Sequence, residues 1–269
     1  MPTAVTRQRD ILAAMLKVVE LEPALRWFEL GCSLGRHAGD ELSDIDCAAG
    51  VADDRWADAL DLGARLAAPG GSVSDTMRQV FPGRDGRSGW HVVTLYADGA
   101  QLSLVLMPST WRTGLPPGSV ALYDADARLA HPMRPPGADA DAATLREWAA
   151  LSWVALGDLA KYLDRGSLWE AYQRLDAARG EVFKLWAAGR KIDFPGYGLT
   201  SLLDTPGESV PAAFESTVAA LDATDLRRAA IACADLLIEA TDRVMPMLRD
   251  GGQAPPDGLR LWVRGRLRA

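Results

Sequence analysis

The sequence predicts an α+β chain of two domains. Strand-like and helical segments alternate through its first half, prolines then cluster from 108 to 136, and everything after that repeats its apolar residues at helical spacing. A length of 269 residues suits two ordinary domains better than one oversized core.

Ile11, Leu12, Met15, Leu16 and Val19 share one helical face, and Pro23 marks the end of that helix. Residues 26–31 read as a strand, followed by a glycine-bearing loop and a second strand over 44–51. Asp53 or Asp54 is placed to cap a helix with the apolar face Trp56, Leu60, Gly63 and Leu66, ended by Pro69, Gly70 and Gly71. Residues 73–81 form a strand, and 91–107 form a hairpin around Asp98-Gly99, a dipeptide suited to positive backbone angles. The prolines then punctuate an irregular stretch ending in HPMRPPGADAD, which divides the chain into domains 1–136 and 137–269.

In the second domain three stripes at helical spacing predict a bundle. Leu145, Trp148, Ser152, Leu156, Leu159 and Leu163 make the first, closed by Gly166. Leu168, Ala171, Tyr172, Leu175, Val182, Leu185 and Trp186 make the second, and Leu226, Ala230, Cys233, Leu237, Ala240, Val244 and Met247 the third. Trp148, Trp153, Trp169 and Trp186 are expected in the core or at a domain interface.

Composition narrows the function. With 48% hydrophobic and 24% charged residues and no apolar run of about 18, the chain reads as globular without a membrane span. Lys17 and Glu20 interrupt the first apolar stretch, so it reads as the first helix of a cytoplasmic protein rather than a signal peptide. A net charge of −7 argues against general nucleic-acid binding. Cys32, Cys47 and Cys233 are too scattered for a disulfide framework or structural zinc. Cys32 and Cys47 read as small buried residues, His37 as a solvated loop residue, and His91 and His131 as dispersed.

The chemistry concentrates in residues 29–51, ELGCSLGRHAGDELSDIDCAAGV. Side chains alternate along a strand, so Asp44 and Asp46 project together while Ile45 and Cys47 face away. Two such carboxylates suit Mg²⁺, which takes one or two acids plus substrate phosphates. The preceding turn, Cys32-Ser33-Leu34-Gly35-Arg36, offers backbone N–H groups, the Ser33 hydroxyl and the Arg36 charge to a phosphate.

Ser33, the eleven-residue step to Asp44, and Ser43-Asp44-Ile45-Asp46 resemble the Gly-Ser turn and Asp-x-Asp strand of the DNA polymerase β-like nucleotidyltransferases. Gly166-Ser167-Leu168-Trp169-Glu170-Ala171, with Arg179 downstream, is similar to the helical region of the aminoglycoside and lincosamide branch. The resemblance implies a mixed sheet with flanking helices, then a helical domain. It also implies Mg²⁺, a nucleoside triphosphate with ATP as first candidate, and a hydroxyl acceptor on a small molecule such as an aminoglycoside-like antibiotic. Asp44 and Asp46 take the catalytic and metal positions, and Cys32, Ser33, Arg36 and Ser103 the nucleotide-binding positions.

This sequence departs from the family pattern at three places. Cys32 stands where the pattern has glycine before the serine, and His37 stands at the glycine that ends the turn. In Leu102-Ser103-Leu104, Ser103 occupies the place of the third carboxylate, with Asp98 out of register in the turn. The alternatives are an acid from the helical domain, Glu170 or Asp176, that completes the site, or a nucleotide-binding or regulatory protein with impaired catalysis. A toxin–antitoxin nucleotidyltransferase is a third.

Overall fold

The structure is a computed structural model that describes residues 5–83, 85–249 and 257–268. The chain forms two compact units, one up to Pro135 and one from Pro136 onward.

The first unit opens with α1 (Thr6–Leu21), whose Ile11, Met15 and Val19 are fully buried. Then come β1 (Leu25–Leu30), the single turn α2 (Cys32–Gly35) and β2 (Ile45–Val51). Next are α3 (Ala59–Ala67), β3 (Val73–Pro82), β4 (Ser88–Tyr96), β5 (Gln101–Pro108) and β6 (Val120–Asp124). The six strands make one sheet in the order β3-β4-β5-β2-β1-β6. β2 and β5 run parallel and the other neighbours antiparallel, so the sheet is mixed, as expected.

Strand alternation separates the faces of this sheet. Ile45, Cys47, Ala49 and Val51 of β2, with Leu102, Leu104 and Leu106 of β5, bury against α1 and α3. On the opposite face a smaller cluster of Trp27, Ala48, Met107 and Leu129 covers the far end of β2. Trp27 donates its indole N–H to Ser109 O at 3.1 Å and crosses Gly50, where an added Cβ would fall 2.1 Å from Nε1. That cluster stops short of Asp46, which is half-buried, and of Asp44, which is exposed.

Two expectations are corrected here, and the hairpin is seen in more detail. Residues 108–136 are not irregular throughout, because β6 lies among the prolines and pairs with β1. Neither Asp53 nor Asp54 caps a helix with its side chain. Residues 53–58 form a 3-10 turn, and Asp53 accepts from Thr110 Oγ1 at 2.7 Å and pairs with Arg87 at 2.8 Å. The hairpin turn has three residues, since Tyr96 N–H donates to Ala100 O and Gly99 adopts φ +88°.

The second unit packs α4 (Ala142–Asp164), α5 (Leu168–Gly189) and α7 (Ala223–Arg249) around one apolar core, with α6 (Leu199–Asp204) and α8 (Asp257–Arg268) added. Asp141 caps α4 by accepting from Thr144 N–H at 2.8 Å, and Gly166 at φ +71° follows its end. Phe183 stacks on Phe214 with centroids 4.3 Å apart, and Trp186 meets the same ring edge-on. Trp153 and Trp186 are core residues as expected, whereas Trp169 is exposed on the first turn of α5.

Gly35, at the end of α2, is held between backbones. A Cβ there would sit 2.5 Å from Gly118 O and 2.8 Å from Leu30 O, and neither carbonyl lies on a flexible side chain. Gly35→Ala is therefore expected to destabilise the protein by about 1–3 kcal/mol, read as a lower urea midpoint.

Candidate functional site

β1 ends by handing the chain to α2, and Gly31 N–H donates to Asp46 O at 2.8 Å. This bond fixes the serine turn beside the second aspartate. The turn closes through Gly35 N–H to Gly31 O, Arg36 N–H to Cys32 O and Ala38 N–H to Ser33 O. Cys32 and His37 adopt φ +50° and +60°, in the left-handed region that favours glycine. The two places where the sequence lacks the pattern's glycines thus keep a glycine-like backbone. Cys32 is exposed rather than buried, which corrects its expected place in the core. The Arg36 side chain lies over Gly118, where a Cβ would meet its Cγ at 2.7 Å. Ser33 Oγ makes no hydrogen bond among the described residues.

Asp44 precedes β2 by one residue and Asp46 lies within it, with Ile45 and Cys47 buried on the other side. Asp44 thus lies just outside the strand whose alternation was expected to align it, and its link to Asp46 is the interaction of the two charges. The Asp44 carboxylate is pushed above its ordinary value by burial and then by the Asp46 charge. Among the described residues its one hydrogen bond is from Gln101 Nε2 to Oδ2, 2.9 Å. Asp46 has no hydrogen bond or ion pair to its carboxylate among the described residues. Burial pushes the Cys47 thiol well up, so it stays protonated and is no nucleophile.

The loop before Asp44 is clamped from α1. Buried Gln8 donates through Nε2 to Glu41 O at 3.0 Å, Ser43 O at 3.1 Å and Asp40 O at 3.3 Å. Within the loop, Ser43 Oγ donates to Asp40 Oδ1 at 3.0 Å. Gln8→Ala takes these bonds from the loop and is expected to destabilise the protein by about 1–3 kcal/mol, read as a lower urea midpoint. An unchanged midpoint would show that the loop holds its shape without the amide.

Ser103 lies in register with Asp46 across the parallel β2–β5 pair, on the same face. Its Oγ is 2.9 Å from His91 Nε2. Asp98 is bound elsewhere, to Arg7 Nε at 2.7 Å and Ala100 N–H at 3.2 Å. No group of three His, Cys, Asp or Glu that could hold a metal occurs among the described residues. In the second unit Glu170 accepts from Ser167 Oγ at 2.5 Å, and Asp176 pairs with Arg179 at 2.7 Å. Arg179 also donates to Thr217 O at 3.1 Å. These residues are engaged within their own helical unit. The sequence did not single out Gln8, Gln101 or His91, since none stands in a motif.

A mixed sheet that carries a serine turn at the end of β1 and an aspartate pair at the start of β2, with a helical bundle following in the chain, is the architecture the resemblance implied. The chain is similar to an aminoglycoside 6-adenyltransferase from Bacillus subtilis at 16% identity, over 97% of each chain, with a TM-score of 0.44. It is similar to a nucleotidyltransferase-like protein from Exiguobacterium sibiricum 255-15 at 11% identity, over 91% of this chain and 81% of that one, with a TM-score of 0.37. Similarity to the GLD-2/RNP-8 complex is at 13% identity, over 88% and 68%, with a TM-score of 0.27. At these values none of the three assigns an activity to the chain. No family model and no curated protein matches its sequence.

Proposed function

We propose that this protein is a nucleotidyltransferase that moves a nucleoside monophosphate from a nucleoside triphosphate, ATP first, to a hydroxyl of a small molecule. One observation carries the reading. Asp44 and Asp46 stand at the start of β2 with no cation paired to either among the described residues, beside a turn bonded to Asp46 through Gly31.

Two adjacent carboxylates, one of them raised by burial and then by the other's charge, fit a hard divalent cation that completes its shell with phosphate oxygens. Asp44 and Asp46 are the residues that would hold Mg²⁺, which when bound neutralises charge on the phosphates and withdraws electrons from the reacting phosphorus. The other residues act directly on the substrate. Ser33 Oγ donates to a phosphate oxygen, and the α2 turn fixes the approach of the triphosphate. Gln101 holds the Asp44 oxygen that its amide reaches.

Aminoglycoside-like acceptors suit the acidic balance of the chain, since they are cationic, and antibiotic modification in the cytoplasm is the corresponding biological role. The test is pyrophosphate release from each nucleoside triphosphate with Mg²⁺, with and without a panel of hydroxylated acceptors. Release only when an acceptor is present supports the transfer. Tight Mg²⁺-dependent triphosphate binding without release under any acceptor would favour the second reading, a nucleotide-binding regulatory protein, which rests on Ser103 standing where a carboxylate is expected.

A further inference from the structure

Beyond the aspartate pair, the same face of the sheet carries a hydrogen-bonded line of three side chains from three strands. Gln79 on β3 pairs in register with His91 on β4, and His91 sits diagonally across from Ser103 on β5. Gln79 Oε1 is 3.4 Å from His91 Nδ1, and His91 Nε2 is 2.9 Å from Ser103 Oγ. Ser103 is in register with Asp46, so the line ends at the aspartate pair. In the tautomer that carries its proton on Nδ1, the ring donates to Gln79 Oε1. Nε2 is then the bare nitrogen, and the Ser103 hydroxyl donates to it. In that tautomer the serine hydroxyl has a neighbour able to take its proton.

We propose that Ser103 and His91 together remove the proton of the acceptor hydroxyl, taking over the work of the carboxylate that this chain lacks at position 103. The proposal rests on nucleotidyl transfer being the reaction. As the acceptor oxygen forms its bond to the α-phosphorus, its proton passes to Ser103 Oγ while the Ser103 proton passes to His91 Nε2. The bond from the α-phosphorus to the bridging oxygen breaks, and pyrophosphate leaves with that electron pair. The imidazolium then returns its proton to water. Electrons and protons balance, and no other reagent enters. Proton transfer of this kind contributes about 10²–10⁴-fold to a rate.

The test compares pyrophosphate release, with acceptor present, by the wild type, His91→Ala, His91→Gln and Ser103→Ala, alongside calorimetric binding of the Mg²⁺–triphosphate. Both His91 variants are expected to lose about 100-fold or more in kcat while triphosphate affinity and KM stay near wild type. His91→Gln retains a hydrogen bond to Ser103 but accepts no proton, so a merely structural histidine would leave it active. Added imidazole should restore His91→Ala in proportion to its concentration and leave Ser103→Ala unaffected, because that variant lacks the relay. Full turnover by His91→Gln, or by Ser103→Ala, overturns the relay and leaves nucleotidyl transfer standing. A wild type that binds triphosphate yet releases no pyrophosphate with any acceptor overturns both. Should His91→Ala lose its fold by circular dichroism, His91→Gln decides the question alone.

Discussion

Asp46→Asn is expected to abolish the proposed Mg²⁺-dependent triphosphate binding, to lower any transfer rate by about 100-fold or more, and to raise the stability of the cation-free protein at neutral pH. The third effect follows from the electrostatics of the site. Asp44 is raised above its ordinary 3.8 by burial and by the charge on Asp46. An acid whose pKa is higher in the folded state holds its proton more tightly there. The folded protein is therefore favoured at pH below that window and loses this contribution as pH rises from the ordinary value through the folded one. The charge on Asp46 opposes ionisation of Asp44. Removing one charge relieves the repulsion, and a bound cation does the same. Melting curves with and without Mg²⁺ and triphosphate check this. Wild type should gain stability from the ligands and Asp46→Asn should not, while starting from a higher melting temperature without them. A variant that melts lower in the absence of cation would mean that Asp46 is bonded into the fold, and the pair would lose its standing as a metal site.

Local patterns were enough for α1, α3, α4, α5, α7 and β1 to β5, though not for β6. Alternation at 44–51 put Ile45 and Cys47 into the core and Asp46 onto the opposite face, because strand periodicity depends only on neighbouring residues. Helical stripes such as Leu145 to Leu163 emerged as α4 for the same reason. What depended on register was not legible. Had the hairpin closed on a two-residue Asp98-Gly99 turn, His91 would have paired with residue 106 and faced the core. The three-residue turn pairs His91 with Val105 instead and brings it beside Ser103. One residue of loop length decides whether the histidine reaches the site. Gln8 reaches 32 to 35 residues along the chain to hold the loop before Asp44, a contact no spacing rule reports. The glycine-poor turn shows the reverse. Cys32 and His37 stood out as departures in composition, yet their positive φ angles keep the backbone of the pattern.

Arg112→Met is expected to destabilise the protein by about 3–5 kcal/mol, the largest effect of any single change away from the aspartates. Glu29 is 5% exposed, lies opposite Ala48 and so shares the sheet face of Asp46. Its Oε1 accepts from Arg112 Nη1, and its Oε2 is buried without a hydrogen-bond partner among the described residues. Arg112 in turn stacks on Trp27 at 5.4 Å, over the indole that crosses Gly50. The guanidinium therefore performs two tasks: it neutralises a nearly fully buried carboxylate, and it covers the tryptophan that packs on the far end of β2. Methionine keeps much of the apolar cover and removes the charge, which isolates the first task. Glu29 is then left as an unpaired buried anion, and the cost of stranding it exceeds the net worth of the intact pair. The double variant Glu29→Gln with Arg112→Met should recover most of the loss, because no charge is stranded and the amide fills the same space. Urea unfolding of the four proteins in the cycle measures the coupling directly. Equal and additive losses in the two single variants would mean that the carboxylate is hydrated in solution, and would remove the ion pair from the account of what holds this face together.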